Sequence, residues 1–268
     1  KVHLVHQKQH ICDWKDLEKD ISEVRAWVSN TPEAQISPFA FLSMPKTTAQ
    51  EQKECAKNWL KNRYKPAYEQ GCTLAFKHKI NHQKLRIGYL SADFRLHPLA
   101  FLISELIERH DRTAFEVYAY SYGLDDQSAE RKRLEKAFDR FVDIRTLSTL
   151  DAATKIHQDE IDILVDLTGF TQTSRSHIVA LRPAPINVSW LGFPGTMGDL
   201  DGKPLFDYLI SDGFITPPTK ANAYSEKLAL LPNTYQPNDT KRPIGEIKNR
   251  LEYGLPESGF VFCCFNQT

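Results

Sequence analysis

Cysteine is scarce in this sequence of 268 residues, and long apolar runs are absent from it. An odd number of cysteines without a CxxC pair argues against a disulfide framework and against a zinc site of the usual spacing. No apolar stretch approaches the roughly 18 residues that cross a bilayer, and the first residues carry no signal-peptide core. We therefore expect no metal, no membrane association and a cytoplasmic location, with five reduced thiols: Cys12, Cys55, Cys72, Cys263 and Cys264.

Net charge is also absent, because 34 Lys and Arg residues balance 34 Asp and Glu residues. A chain without a net positive field has little to attract a nucleic-acid backbone. Its basic run, Arg131-Lys132-Arg133, shares a predicted helix with Glu130 and Glu135, and we interpret it as a solvated face. We expect no nucleic-acid partner.

The first 80 residues are predicted to form a helical segment. Apolar residues recur every three or four positions from Asp13, the predicted N-cap, to Ser29. Thr48 and Glu51 have the spacing of a capping box at the start of a second helix. Between these helices, residues 31–45 are predicted to be an irregular connector.

Residues 84–255 have a different pattern, in which short β-rich runs alternate with helical ones. Residues 161–165 are almost continuously apolar, which is typical of a strand buried on both faces of a parallel sheet. The predicted fold class is α/β, a doubly wound parallel sheet preceded by the helical segment. The predicted strands are 85–90, 115–121, 162–167, 186–191, 207–211, 227–231 and 259–265, and the predicted helices are 98–110, 127–140, 150–158, 174–181 and 244–252.

Three predicted strand-to-helix junctions carry polar or glycine-rich loops, and ligands of an open parallel sheet bind outside the carboxyl ends of its strands. The first junction ends at His97-Pro98, where Pro98 fits the first position of a helix. The positive end of that helix would lower the pKa of His97 and favour the neutral imidazole that a general base needs. Simple capping of the helix is the alternative role.

The second junction follows the predicted strand 162–167. Asp166 either orients a base or binds a sugar hydroxyl, or it accepts hydrogen bonds from the amides of its own turn before Gly169. Thr171 and Thr173 are either helix caps or ligand contacts.

The third junction is a loop after strand 186–191 with three glycines, Gly192, Gly195 and Gly198. Glycines let a backbone approach a ligand closely, and a tight surface turn would explain them equally well. The loop matches neither a P-loop nor GxGxxG. Beyond it, Asp199 and Asp201 have the spacing of a metal-binding carboxylate pair, but we interpret them as part of a solvated loop.

Taken together, the three junctions resemble those of the protein O-linked N-acetylglucosamine transferases and their plant and bacterial SPINDLY-like relatives. The resemblance spans most of the chain. It rests on matches in the same order at residues 86–94, 97–98, 157–159, 163–166, 169–171, 181–186, 190–196, 208, 224–228 and 231–234.

The resemblance implies a hexosyltransferase of the GT-B fold that needs no metal or other cofactor. Such an enzyme transfers N-acetylglucosamine from UDP-N-acetylglucosamine, with inversion, to Ser/Thr hydroxyls of proteins. By resemblance, His97 acts near the acceptor, and Asp166, in the family's turn motif, is the second catalytic candidate. The implied sugar pocket is lined by Thr171, Leu191, Gly192 and Pro194. One position departs from the animal enzymes, where a second histidine stands at the position of Phe101.

By the same resemblance, residues 84–255 would be the N-terminal Rossmann-like domain of the GT-B fold. Residues 1–80 would join it to upstream tetratricopeptide repeats, and residues 256–268 would open a second Rossmann-like domain. This part alone is then expected to be incomplete as an enzyme, with a nucleotide sugar and protein or peptide acceptors as partners. Two alternatives stay open, transfer of another sugar such as fucose from GDP-fucose, and a catalytically silent peptide-binding module.

Overall fold

A computed structural model describes residues 1–74, 76 and 82–264 of the chain. Its first part is helical, and the longest helix there has 15 residues. No helix in the described part of the chain is long and apolar enough to cross a membrane. The helices are α1 (Val2–His10), α2 (Leu17–Asn30), α3 (Pro38–Leu42), α4 (Ala49–Arg63) and α5 (Lys65–Leu74).

The starts of two predicted helices are tested by their backbone hydrogen bonds. The capping box is confirmed, because the Thr48 hydroxyl accepts the Glu51 N–H and the Glu51 carboxylate accepts the Thr48 N–H. The predicted N-cap Asp13 is wrong, since α2 begins at Leu17. Asp16, the residue before Leu17, has a left-handed φ of 57°, so the helix cannot begin earlier, although the apolar periodicity of the sequence starts before this residue. The connector at residues 31–45 contains the short helix α3, which was not predicted.

Seven parallel strands of the described residues form one sheet. They are β1 (Leu85–Ser91), β2 (Phe115–Ser121), β3 (Arg140–Asp143), β4 (Ile163–Asp166), β5 (Ile186–Trp190), β8 (Tyr208–Asp212) and β9 (Lys227–Leu231). Between β5 and β8, the strands β6 (Asp199–Leu200) and β7 (Lys203–Pro204) form a small antiparallel hairpin. The order β3-β2-β1-β4-β5-β8-β9 reverses direction between β1 and β4. The predicted doubly wound α/β fold is confirmed.

Helices cover both faces of the sheet and bury two hydrophobic cores. On one face, α6 (Pro98–Glu108) and α7 (Ala129–Ala137) pack through residues such as Ile103 and Leu134 against Val117 and Val165. On the other face, α8 (Thr149–Gln158), α9 (His177–Ala180), α4 and α5 pack against residues such as Tyr120 and Leu164. A third core holds α1, α2 and α3 together and includes Cys55 of α4. The helical segment is thus attached to the sheet mainly through α4 and α5.

Three predicted elements in the second half of the chain are shortened or absent in the structure. The predicted helix 174–181 is reduced to His177–Ala180. The predicted helix 244–252 is wrong, because only a 3-10 turn forms at Leu251–Tyr253, and Ile244 and Ile247 bury no apolar face. The predicted strand 259–265 is not formed at residues 259–264, where no strand of the described chain pairs with it. Residue 265 lies outside the described residues.

Candidate active site

The three junctions predicted from the sequence leave the same edge of the sheet. In the strand register, Leu90 of β1 pairs with Asp166 of β4, which in turn pairs with Ser189 of β5. The Leu167 N–H donates to the Leu90 carbonyl at 3.0 Å. The edge where the strand order reverses is the topological switch point, at which doubly wound sheets bind ligands.

His97 is the N-cap of α6. Its Nδ1 accepts a hydrogen bond from the Leu99 N–H at 3.2 Å, and Pro98 occupies the first helical position as predicted. Its Nε2 lies 3.8 Å from a carboxylate oxygen of Asp93. The side chain is about one-third exposed, at 36%, so the ring remains accessible from the sheet edge.

The surroundings of His97 favour the neutral imidazole. Burial lowers the pKa of His97, the nearby Asp93 opposes that shift, and Arg95 adds to it. Because Nδ1 accepts the Leu99 N–H, the hydrogen-bond pattern assigns the remaining proton of the neutral ring to Nε2. In this arrangement the ring offers an N–H donor toward the edge of the sheet, and it can take up a proton at Nδ1 only if the capping bond opens.

Asp166 ends β4 and is completely buried. One carboxylate oxygen accepts the N–H groups of Thr168 at 2.8 Å and Gly169 at 3.2 Å, and the other accepts the Ser176 hydroxyl at 2.5 Å. Burial raises the pKa of Asp166, while these three hydrogen bonds act in the opposite direction. Of the alternatives for Asp166, the structure shows the one in which it accepts bonds from its own turn, and the side chain has no surface that could touch a ligand.

The loop after β4 is held at its start and strained further on. The Thr168 hydroxyl oxygen accepts a hydrogen bond from the Tyr122 hydroxyl at 2.9 Å, and the Thr171 hydroxyl donates to the Thr168 carbonyl at 3.0 Å. Gly169 has φ 58° and Thr173 has φ 64°, a conformation that a β-branched residue rarely adopts. Neither Thr171 nor Thr173 caps α9, whose N-cap is Ser176. Thr171 is partly exposed at the sheet edge.

The loop after β5 lies directly against the loop after β4. Leu191 has φ 74°, and the Gly192 N–H donates to the Trp190 carbonyl two residues back at 3.0 Å, as in a classic γ-turn. A Cβ atom on Gly192 would lie 2.2 Å from the Leu167 carbonyl oxygen, so only glycine fits this close approach. Leu191, Gly192 and Pro194 are all partly exposed.

Sequence reasoning did not identify Tyr122 and Arg175, which also lie at this edge. Tyr122 directly follows β2 and makes the hydrogen bond to Thr168. The Arg175 guanidinium donates to the carbonyls of Ile144 at 2.8 Å and Leu147 at 2.7 Å and lies 5.9 Å from the Tyr122 ring. Burial lowers the pKa of Arg175. The signal in the sequence for Tyr122 was its position just after a strand end, whereas Arg175 lies nine residues after β4 and had no such signal.

The interpretation of Asp199 and Asp201 as a solvated loop is wrong for Asp199. Its carboxylate, at the start of the hairpin β6–β7, is buried. It accepts the Gly202 N–H at 2.9 Å and the Ser225 hydroxyl at 2.7 Å, and the Lys57 ammonium lies 3.8 Å from one of its oxygens. Asp201 is exposed at the hairpin turn with φ 52°. Across residues 1–74, 76 and 82–264, no group of three or more His, Cys, Asp or Glu side chains could hold a metal ion.

The basic run on α7 is likewise only partly solvated. Arg131 is buried, and its guanidinium donates to the Phe94 carbonyl at 3.2 Å and the Ser121 hydroxyl at 2.9 Å. Arg133 is paired with Glu108. These arginines tie α7 to its neighbours, which removes them from any nucleic-acid patch.

Comparison with known proteins gives a family match and a structural match. The model of glycosyl transferase family 41 matches residues 11–251. The chain is 34% identical, over 98% of its length, to a probable UDP-N-acetylglucosamine–peptide N-acetylglucosaminyltransferase (SEC) of Arabidopsis thaliana, of which it covers 28%. It is 39% identical, over 64% of its length, to the UDP-N-acetylglucosamine–peptide N-acetylglucosaminyltransferase of Caenorhabditis elegans, of which it covers 15%.

A solved structure of an O-GlcNAc transferase variant from Thermobaculum terrenum superposes with a TM-score of 0.67 and 29% identity, over 82% of this chain and 42% of that one. The chain spans less than a third of the length of the two curated relatives from Arabidopsis thaliana and Caenorhabditis elegans. A match over most of the chain, on the sheet that brings the three predicted junctions together, shows that the chain belongs to glycosyl transferase family 41.

Proposed function

We propose that this chain is part of an inverting glycosyltransferase that moves N-acetylglucosamine from UDP-N-acetylglucosamine to Ser/Thr hydroxyls of proteins. The observation that carries the proposal is the meeting of the loops after β1, β4 and β5 at the switch point of a family 41 sheet. The relatives support the choice of sugar, since the SPINDLY relatives are also named as N-acetylglucosaminyltransferases. This disfavours the fucose alternative.

Each site residue has a role that its position allows. His97 stands at the acceptor side, where its Nε2–H can orient the attacking hydroxyl or its carrier group. Thr171, Leu191, Gly192 and Pro194, all partly exposed, form the floor of the sugar pocket. Asp166 acts indirectly, by holding the Thr168–Gly169 turn from which Thr171 projects.

The departing diphosphate needs positive charge, and we propose that it comes from cationic side chains and helix N-termini rather than from a metal. The environment of Asp199 supports metal independence, because both of its oxygens accept hydrogen bonds within the chain and the Lys57 ammonium lies 3.8 Å from one of them. We further propose that the nucleotide is bound by a second Rossmann-like unit, which residues 256–268 would open. Upstream tetratricopeptide repeats and protein acceptors belong to the same proposal. The five free thiols support a cytoplasmic location.

Mass spectrometry of the full-length protein's products tests this proposal. Ser/Thr-containing peptides are incubated with the protein in three parallel reactions, each with one donor: UDP-N-acetylglucosamine, UDP-glucose or GDP-fucose. We expect an N-acetylhexosamine mass increment from the first donor. A fucose increment would assign the other transfer, and no increment from any donor would support the peptide-binding module.

A further inference from the structure

A buried carboxylate anchors the loop after β5. Glu226, which directly precedes β9, is 5% exposed, and both of its oxygens accept hydrogen bonds from that loop. One oxygen accepts the Thr196 hydroxyl at 2.7 Å, and the other accepts the Met197 N–H at 2.7 Å. The sequence separates Glu226 from these two partners by 30 and 29 residues, so only the folded chain brings the three groups together.

The hydrogen bonds of Thr196 have one consistent assignment. Its hydroxyl oxygen accepts the N–H groups of Gly198 and Ser225, each at 3.1 Å. Both lone pairs of that oxygen are then in use, so its proton is donated to Glu226. Burial raises the pKa of Glu226, and its hydrogen bonds to the loop act in the opposite direction. A side chain at position 226 with fewer than two acceptor atoms would therefore leave a buried donor unpaired.

The anchored residues pack between the two loops of the candidate sugar pocket. Met197 is completely buried, and a Cβ atom placed on Gly169, in the loop after β4, would lie 3.4 Å from its sulfur atom. The buried ring of Phe193 meets the ring of Phe170 edge-on, with ring centres 5.4 Å apart. A displacement of Met197 would therefore disturb the contact between the loop after β5 and the loop after β4.

The proposed floor of the sugar pocket lies between two fixed ends of the loop after β5. At its start, the Gly192 N–H donates to the Trp190 carbonyl at 3.0 Å. Its other end is fixed by the two hydrogen bonds that Glu226 accepts from residues 196–197. Pro194 lies between these ends and has no N–H of its own, so its position depends on both of them.

We propose that Glu226 is a positioning residue for the sugar-binding loop after β5, residues 191–198, acting through Thr196 and Met197. The inference rests on the proposed function and extends it by giving a residue outside the three junctions a part in donor binding. Without this anchor, the loop moves relative to the loop after β4, and the sugar pocket loses affinity. The acceptor side is held separately, since His97 caps α6.

Steady-state kinetics of the full-length protein test the proposal with variants at both ends of one hydrogen bond. Glu226→Gln keeps the size of the side chain, but its amide offers one acceptor oxygen where two are needed. Thr196→Val removes the hydroxyl, and Thr196→Ser keeps it. We expect the KM for UDP-N-acetylglucosamine to rise about tenfold in Glu226→Gln and in Thr196→Val, the effect of one lost hydrogen bond to a buried carboxylate. Thr196→Ser should keep the wild-type donor KM, and the KM for the acceptor peptide should be unchanged in all three variants.

The double variant of Glu226→Gln and Thr196→Val measures the coupling of the pair. Its donor KM should rise by much less than the product of the two single effects, because both changes break the same hydrogen bond. Single effects that multiply would show that the two residues act separately, which contradicts the proposal.

Asp162→Asn is a matched control that separates positioning from folding. Asp162 is also 5% exposed and directly precedes a strand, β4, where one of its oxygens accepts the Arg86 N–H at 2.8 Å and lies 2.7 Å from His82 Nε2. Neither partner belongs to a loop of the candidate site, so this variant should lose stability in urea unfolding and keep its donor KM. Partial unfolding alone lowers the amount of active protein and leaves both KM values as they were. A constant donor KM in Glu226→Gln, or an equal rise in Asp162→Asn, would overturn the inference.

Hydrogen exchange gives an answer even if the protein transfers no N-acetylglucosamine, an outcome that would remove the proposed function alone. The Met197 amide donates to Glu226, and the Gly192 amide lies in the proposed floor itself. Both amides should exchange about tenfold faster in Glu226→Gln than in the wild-type protein or in Asp162→Asn. Unchanged protection of the Met197 amide would show that Glu226 does not hold the loop, and unchanged protection of the Gly192 amide would show that the floor does not depend on it.

Discussion

The Nδ1 atom of His97 lies 3.2 Å from the backbone nitrogen of Leu99 and accepts its hydrogen. The bond makes His97 the cap of α6 and, in the neutral ring, places the proton on Nε2. The cap therefore occupies the nitrogen at which a general base would take up a proton, and it leaves the Nε2–H available as a donor toward the sheet edge. Capping is compatible with a donor role in the proposed transfer but not with a base role while the capping bond is closed, and substitution can separate capping from that donor role.

Replacement of His97 by Ala and by Asn should separate capping from catalysis. Both variants of the full-length protein are expected to lose roughly 10²–10⁴-fold in turnover, the usual effect of a lost acid–base or proton-orienting group. Only His97→Ala should also lose stability, by about 1 kcal/mol, because Asn is itself a good N-cap. Transfer assays and urea unfolding check both expectations. Wild-type turnover in His97→Asn would show that His97 caps α6 and has no part in turnover.

The stability of the protein should fall as the pH drops from 7.5 to 5.5. Burial lowers the pKa of His97 and His110 below the ordinary 6.5, so the unfolded chain binds protons more readily than the folded one in this range. The stabilising effect is complete above pH 6.5 and is lost as the pH falls through the folded pKa values.

Comparison with His97→Asn isolates the contribution of His97 to this pH dependence. The raised pKa of the buried carboxyl groups Asp166 and Glu226 acts in the opposite direction, but it is common to both proteins. Urea unfolding at the two pH values should show a smaller loss of unfolding free energy in His97→Asn than in the wild type. Equal losses of unfolding free energy in the two proteins would mean that the pKa of His97 is the same in the folded and the unfolded state.

Thr173→Gly should stabilise the protein. Thr173 is exposed, its φ of 64° strains a β-branched residue, and its hydroxyl reaches only the neighbouring Gln172 carbonyl. Relief of that strain, less the extra freedom of glycine in the unfolded chain, should raise the free energy of unfolding by about 0.5–1 kcal/mol. Thr171→Gly is the control: it relieves no positive φ and loses a hydrogen bond to Thr168, so it should destabilise. The idea of strain fails if both variants are destabilised alike.

Transfer by the full-length protein should survive EDTA. Asp201→Asn should be neutral, since Asp201 is exposed, whereas Asp199→Asn should cost about 1–3 kcal/mol of stability by disturbing two partly buried hydrogen bonds. Activity per folded molecule should be equal in both variants. Loss of transfer on chelation, with recovery on adding Mn²⁺, would instead make this pair a metal site.

The sequence predicted those features that local chemistry determines. Strand 115–121 and the capping box at Thr48 matched the structure because apolar runs and cap residues act over a few neighbouring positions. Features decided by distant partners were missed: the Arg131 guanidinium is buried, where it donates hydrogen bonds to the Phe94 carbonyl and the Ser121 hydroxyl.

The candidate site divides in the same way. The three junctions could be placed from the sequence because parallel strands end at one edge of a sheet. The burial of Asp166 could not, since it depends on how Ser176 and the helical segment pack around the loop after β4.

The close contact between Gly192 and the Leu167 carbonyl gives the most direct test of the claim that the loops after β4 and β5 form the sugar-binding floor. Gly192→Ala would place a methyl group 2.2 Å from that oxygen and push the loops apart, whereas Gly213→Ala, after β8, meets nothing within 4 Å. The measurement is the rate of N-acetylglucosamine transfer by each folded full-length variant at increasing UDP-N-acetylglucosamine. We predict a loss of roughly 10²-fold in kcat/KM for Gly192→Ala and wild-type values for Gly213→Ala. Wild-type transfer by Gly192→Ala would contradict the account.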